Sequence, residues 1–174
     1  MLPFPIKYDK VKTGKLSVTW LEVDTADELD APDRELTEEA IMASEKAYAP
    51  YSEFYVGAAA RLDNGMILRA TNVENAAFPS GICAERSVIA YAVSNFPGHY
   101  ITALSIAART KEGIIPEPVT PCGNCRQVIA EEEFRTGKNI RIILSGKERI
   151  IVFEKGSDLL PVQFNRNSLR TLLP

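Results

Sequence analysis

YVGAAARLDNGMILRAT, residues Tyr55–Thr71, reads as two strands folded back on each other. Asp63-Asn64-Gly65 separates two apolar-rich runs, and Asn-Gly accepts the positive φ that a tight hairpin turn requires. Tyr55–Leu62 is then one strand and Met66–Thr71 its antiparallel partner. Toward the C-terminus, the helical spacing of Val88, Ile89, Ala92, Val93 and Phe96 predicts a helix from about Ala84, stopped at Pro97-Gly98. Ile101–Ala108 is a near-continuous apolar run, the pattern of a strand buried on both faces. Residues 110–121 are rich in proline and polar residues and read as loop. A second helix is expected from about Cys122 to Phe134, and Ile140–Leu144 and Ile150–Phe153 are strands flanking Gly146. Toward the N-terminus, helical periodicity spans Leu36–Tyr48 and ends at Pro50. Lys15–Val23 alternates, with Leu16, Val18 and Trp20 on one face, which suggests an added edge strand. Asp24–Asp33 is acidic and reads as a linker, and residues 1–14 read as a loose lead-in. Helices must cover the faces of a sheet, so this order predicts a layered α-β-α domain around a mixed five-stranded sheet.

A chain of 174 residues is one ordinary domain, long enough for a real core. Its 45% hydrophobic and 25% charged residues are those of a soluble globular protein. No apolar run approaches the roughly 18 residues of a membrane span. Met1–Lys10 holds no apolar stretch of signal-peptide length, so a cytoplasmic location is expected. Net charge is −3 and no Lys/Arg block stands out, so a nucleic-acid partner is not expected.

Three cysteines, Cys83, Cys122 and Cys125, argue against a disulfide framework, because their number is odd. His99 is the sole histidine and follows a helix stop, the position of a surface loop residue. Cys122-Gly123-Asn124-Cys125 follows Pro121 and opens a helix, where free N–H groups stabilise thiolates. Cys83 stands at the start of the preceding helix. If the two helices begin side by side, three sulfurs converge on one metal ion and leave a fourth position for water, the pattern of catalytic rather than structural zinc. A bare C-x-x-C also fits a redox pair. Glu85, two residues after Cys83, suits a general acid/base beside such a metal, and equally a carboxylate stabilising its helix N-terminus. Three thiolates over-neutralise Zn²⁺, and a guanidinium on the sulfurs would restore its acidity; Arg86 is the first candidate and Arg126 the second.

Cys83-Ala84-Glu85-Arg86 with Pro121-Cys122-Gly123-Asn124-Cys125-Arg126-Gln127 resembles the cytidine deaminase family in its small homotetrameric branch. The resemblance extends to Ala47-Tyr48-Ala49-Pro50-Tyr51-Ser52, to Phe54 with Val56-Gly57-Ala58-Ala59, to Asn72-Val73-Glu74-Asn75-Ala76 and to Leu159-Leu160-Pro161 with Phe164. It covers about residues 37–165 in order. It implies a catalytic domain over residues 36–174, with residues 1–35 as an extension to which no function is carried. It implies zinc on Cys83, Cys122 and Cys125, with Glu85 shuttling protons from water to N3 of cytosine and then to the departing amine. The products are uridine, or deoxyuridine, and ammonia, a step of pyrimidine salvage. Asn72 and Glu74 resemble the pair that holds the sugar hydroxyls. Ala84 is implied to offer backbone groups to the base. Phe54 resembles a wall of the nucleoside pocket, although a core aromatic at a strand start is an equal alternative. Phe164 resembles the aromatic delivered to the pyrimidine from a neighbouring subunit, which implies a homotetramer with shared active sites.

The chain departs from that pattern in two places. Phe78 stands where relatives often carry tyrosine, so any hydrogen bond of that hydroxyl is missing, and Thr120 replaces the usual serine before Pro121. Glu131-Glu132-Glu133 reads as a solvated helix face. The rival readings are a blasticidin-S-type deaminase, a base deaminase acting on nucleic acid, and a non-catalytic zinc module. The last requires four protein ligands where three cysteines and a distant histidine exist.

Overall fold

The computed structural model describes residues 12–170, so most of the lead-in expected over residues 1–14 lies outside the described residues. The chain runs β1 (Leu21–Val23), α1 (Ala31–Ser44), β2 (Tyr55–Leu62), β3 (Ile67–Thr71), α2 (Ala84–Asn95), β4 (Ile101–Thr110), β5 (Gly113–Ile114), α3 (Gly123–Thr136), β6 (Arg141–Ser145), β7 (Ile150–Phe153) and α4 (Arg166–Arg170). The strands form one sheet in the order β1-β7-β6-β4-β2-β3, with β5 beside the end of β4. β4 and β6 are parallel and every other pair is antiparallel, so the sheet is mixed.

Two cores lie on its two faces. Val88, Ile89 and Ala92 of α2 and Ile129 of α3 pack with Leu104, Ile106, Ile142 and Leu144 on one face. Leu36 and Ala40 of α1 pack with Ala59, Ala103, Ala107, Ile143 and Val152 on the other. This is the expected α-β-α layering. Among the described residues the sheet has seven strands rather than five. One addition is β5, whose two residues follow the turn after Thr110 and are too short to carry any alternation. The other is β1, which pairs Leu21, Glu22 and Val23 with Val152, Ile151 and Ile150. Of the expected Lys15–Val23 strand, these three residues pair with β7, which is Ile150–Phe153. Trp20 packs its ring 6.3 Å from that of Phe153.

Helix α1 starts five residues ahead of the expected Leu36, within the segment read as a linker and across the boundary placed at residues 35/36. The cause is a cap. The Asp30 carboxylate accepts the Asp33 N–H at 2.9 Å and Pro32 occupies the first turn. Asp33 is itself buried and holds Arg61 of β2 at 2.9 Å and Arg141 of β6 at 2.6 Å. The helix ends at Ser44, short of Tyr48, because Tyr48 turns away to bridge Val73.

Small residues along β2 let α1 sit directly on the sheet. A Cβ built on Gly57 would lie 2.1 Å from the Ala40 carbonyl oxygen and 2.4 Å from the Ser44 nitrogen. Both obstacles are helix backbone and cannot step aside. Gly57→Ala is therefore expected to destabilise the protein by about 3 kcal/mol, the upper end for overpacking, as read by chemical denaturation. A wild-type midpoint would show that α1 does not press on β2.

The acidic run on α3 does not form a solvated face. Glu131 is exposed, but Glu132 and Glu133 are buried. Glu132 holds Arg135 through two bonds of 2.8 and 2.7 Å. Glu133 accepts the backbone N–H groups of Ile140, Gly156 and Ser157 at 2.7, 2.7 and 2.9 Å. Those donors come from segments 7 to 24 residues away, so the run gives no local sign of its burial.

Candidate active site

Helices α2 and α3 lie together on one face of the sheet and present their N-termini to one place. Cys83 is the residue that caps α2, Cys122 caps α3, and Cys125 is in the first turn of α3. The three sulfurs lie within 4.8 Å of one another and, among the described residues, form the sole such cluster of potential metal ligands. Sγ of Cys83 is 4.0 Å from Sγ of Cys122, which is 3.4 Å from Sγ of Cys125. Tetrahedral zinc with bonds of about 2.3 Å sets its sulfurs about 3.8 Å apart, so the donor set fits the ion. His99 is elsewhere, bonded to Asp63 at 2.8 Å beside the β2–β3 turn. The cluster thus supplies three protein ligands and leaves one position open.

The electrostatics ask for a cation. Hydrogen bonds from Cys125 and then Cys122, helped by the charge of Arg86, lower the Cys83 thiol to about 6. Cys125 is pushed up instead, by its bond to ionised Cys83, by burial and by Glu85. One thiolate opposes the next, and a divalent ion removes that conflict.

Glu85 sits in the first turn of α2 and is 5% exposed. Burial raises its pKa, partly offset by its own backbone N–H and by Cys125. A carboxyl raised this way holds a proton at a pH where an ordinary one has lost it, which suits an acid/base group beside the sulfurs.

Cys83, Ala84, Glu85 and Cys122 line a cleft of about 770 Å³, the size of a small-molecule site. Its walls include Phe54, Asn72, Glu74, Phe78, Val119 and Thr120. Phe54 is half-buried and borders this cleft. Ala84 is fully buried at the helix start. Asn72 accepts the Val56 N–H at 2.8 Å and donates to the Phe54 carbonyl at 2.9 Å, which leaves one N–H and one lone pair free. Glu74 accepts from Tyr51 N–H, Ser52 N–H and the Ser52 hydroxyl. Its pKa falls, first through the Ser52 hydroxyl and then the Tyr51 N–H.

Other expected residues lie differently. Arg86 borders a groove between α2 and α3 with Glu131 and Arg135, and its influence on Cys83 is through charge. Arg126, the second candidate for the sulfurs, donates to the Pro121 carbonyl at 2.8 Å and the Leu159 carbonyl at 3.1 Å. Phe164 is 60% exposed and outside its own chain's cleft; its carbonyl accepts from Gln127 at 2.8 Å. The hold of Ser52 on Glu74, 22 residues along the chain, is a feature sequence reasoning missed.

Residues 30–138 match the family model described as the cytidine and deoxycytidylate deaminase zinc-binding region. The chain is 45% identical over 96 residues to a cytidine deaminase of Halalkalibacterium halodurans, covering 55% of this chain and 68% of that protein. It is 40% identical over 134 residues to a cytidine deaminase of Sporosarcina psychrophila, covering 77% of this chain and 92% of that one. Its fold is similar to the crystal structure of cytidine deaminase from Burkholderia pseudomallei, with a TM-score of 0.64 and 36% identity over 75% of this chain and 97% of the other.

Proposed function

This chain belongs to the cytidine and deoxycytidylate deaminase family, and on that premise we propose that its cleft takes cytidine and deoxycytidine as free nucleosides, with zinc on Cys83, Cys122 and Cys125 and Glu85 as the proton carrier. The reaction is zinc-dependent hydrolytic deamination: cytidine and water become uridine and ammonia. The observation that carries the assignment of roles is the buried Glu85 carboxyl beside three converging sulfurs on the wall of a nucleoside-sized cleft.

When bound, zinc supplies Lewis acidity and brings water near neutral acidity. Glu85 is placed to take a proton from the attacking water and give it to N3 of the base, which makes C4 electrophilic. Once the water oxygen has added to C4, Glu85 takes the remaining hydroxyl proton and delivers it to the exocyclic amine, so that the C4–N bond breaks, ammonia leaves and the C4 carbonyl of uridine forms. One carboxylate serves each transfer because it stands beside the metal ligands with the cleft in front of it. Asn72 and Glu74 hold the sugar, Ala84 meets the base through its backbone, and Phe54 forms a wall. The charge of Arg86 offsets that of the thiolates. Among the described residues the lining contains Glu74 and Glu85 and no lysine or arginine, which favours an uncharged nucleoside over a phosphorylated one.

We assign the chemistry to residues 36–174 and no catalytic group to residues 1–35, although Asp33 anchors α1. A cytoplasmic place in pyrimidine salvage is part of this proposal. No helix among the described residues is long and apolar enough to cross a membrane. An ammonia-release panel of cytidine, deoxycytidine, cytosine, adenosine and blasticidin S tests the function. Turnover of the first two supports it, whereas turnover of blasticidin S alone overturns it.

The protein is expected to be a homotetramer, with Phe164 completing a neighbour's cleft. What supports this is an aromatic ring left 60% exposed on a segment tied to α3. Light scattering on active enzyme should give a mass about four times that of the chain; a fully active monomer would refute it.

A further inference from the structure

We propose that Ser52 is a positioning residue for sugar recognition, its hydroxyl aiming the one Glu74 oxygen that remains open to a nucleoside hydroxyl. This rests on the reading of Glu74 as a sugar acceptor. The Glu74 carboxylate has an uneven set of partners. Oε2 accepts two backbone N–H groups, from Tyr51 at 2.9 Å and Ser52 at 3.2 Å. Oε1 accepts one donor, the Ser52 hydroxyl, at 2.5 Å. A carboxylate oxygen has two lone pairs, so Oε2 is full and Oε1 keeps one acceptor position.

The backbone under this carboxylate is already fixed. Glu74 N–H donates to the Tyr48 carbonyl at 2.9 Å, and Val73 exchanges bonds of 2.9 and 3.0 Å with Ile82, the residue before Cys83. The terminal torsion of a glutamate is soft, and both backbone donors point at Oε2. Among the described residues the Ser52 hydroxyl alone holds Oε1, so it sets where the open lone pair points. That hydroxyl is committed to the task. It accepts the Phe54 N–H at 3.1 Å, which leaves its single proton for Glu74. The turn that presents it holds Glu53 at φ 54, a left-handed conformation, with Glu53 N–H on the Ala49 carbonyl at 3.1 Å. Ser52 is exposed, so its side chain is not packed for core stability.

The test is steady-state kinetics with cytidine on the zinc-loaded full chain, for Ser52→Ala, Ser52→Thr, Glu74→Ala and the double variant Ser52→Ala/Glu74→Ala. Glu74→Ala should raise KM about 10- to 100-fold, the loss expected for a hydrogen bond to a charged group. Ser52→Ala should raise KM about tenfold with kcat within about twofold, and Ser52→Thr should restore it. In the Glu74→Ala background, Ser52→Ala should change nothing further, because its effect passes through the carboxylate. An unchanged KM in Ser52→Ala beside a raised one in Glu74→Ala overturns the role of Ser52 alone. An undiminished Ser52→Ala effect in the double variant does the same, since the serine would then support its loop. An unchanged KM in Glu74→Ala overturns the sugar reading and this proposal together.

Discussion

Glu85→Gln is expected to lower kcat by about 10²–10⁴-fold, toward or beyond the upper end because one group serves several proton transfers. Glutamine keeps the size and some hydrogen bonding of glutamate but cannot take up and release a proton. The three sulfurs are untouched, so zinc content should stay at about one per chain. Substrate should still bind, because Asn72, Glu74 and Phe54 are unchanged walls of the cleft. The competing view is that Glu85 merely favours the N-terminus of α2. That view predicts a stability loss of about 0.3–1 kcal/mol and nearly full activity. It is also hard to reconcile with a carboxyl that is 5% exposed, since helix-dipole carboxylates need no burial. A zinc-loaded Glu85→Gln sample turning over at the wild-type rate would remove Glu85 from the chemistry.

Cys122→Ala should abolish stoichiometric zinc binding and reduce turnover by about 10³-fold or more, the scale of a lost Lewis acid. Cys122 is the exposed member of the cluster, whereas Cys125 is fully buried. Its replacement therefore disturbs packing least and separates metal loss from unfolding. Two sulfurs remain, too few for the three-ligand arrangement of a catalytic site. Metal analysis and activity should fall together while the far-ultraviolet circular dichroism stays native. Retention of both zinc and turnover would mean that the metal is held by other groups.

Much of this was legible in the chain itself. Asn64-Gly65 set the β2–β3 hairpin, because few residues other than glycine and asparagine accept positive φ, and Gly65 adopts φ +86. Helical spacing in 88–96 and the apolar run of 101–108 located α2 and β4 because burial imposes the period of the element on the sequence. The convergence of the three cysteines was legible because their chemistry is rare and their spacing is tied to helix starts.

Other features required the tertiary structure. Glu132 and Glu133 look like a solvated run, yet backbone N–H groups of distant segments bury Glu133. Arg126 is adjacent in sequence to a sulfur, yet its bonds to the Pro121 and Leu159 carbonyls depend on where the fold brings those segments. β5 forms beside the end of β4, its two residues too few to carry any alternation of their own. The hold of Ser52 on Glu74 belongs to the same class. Sequence period records which residues must be buried; which donor meets which acceptor depends on where the folded backbone brings segments that are far apart along the chain.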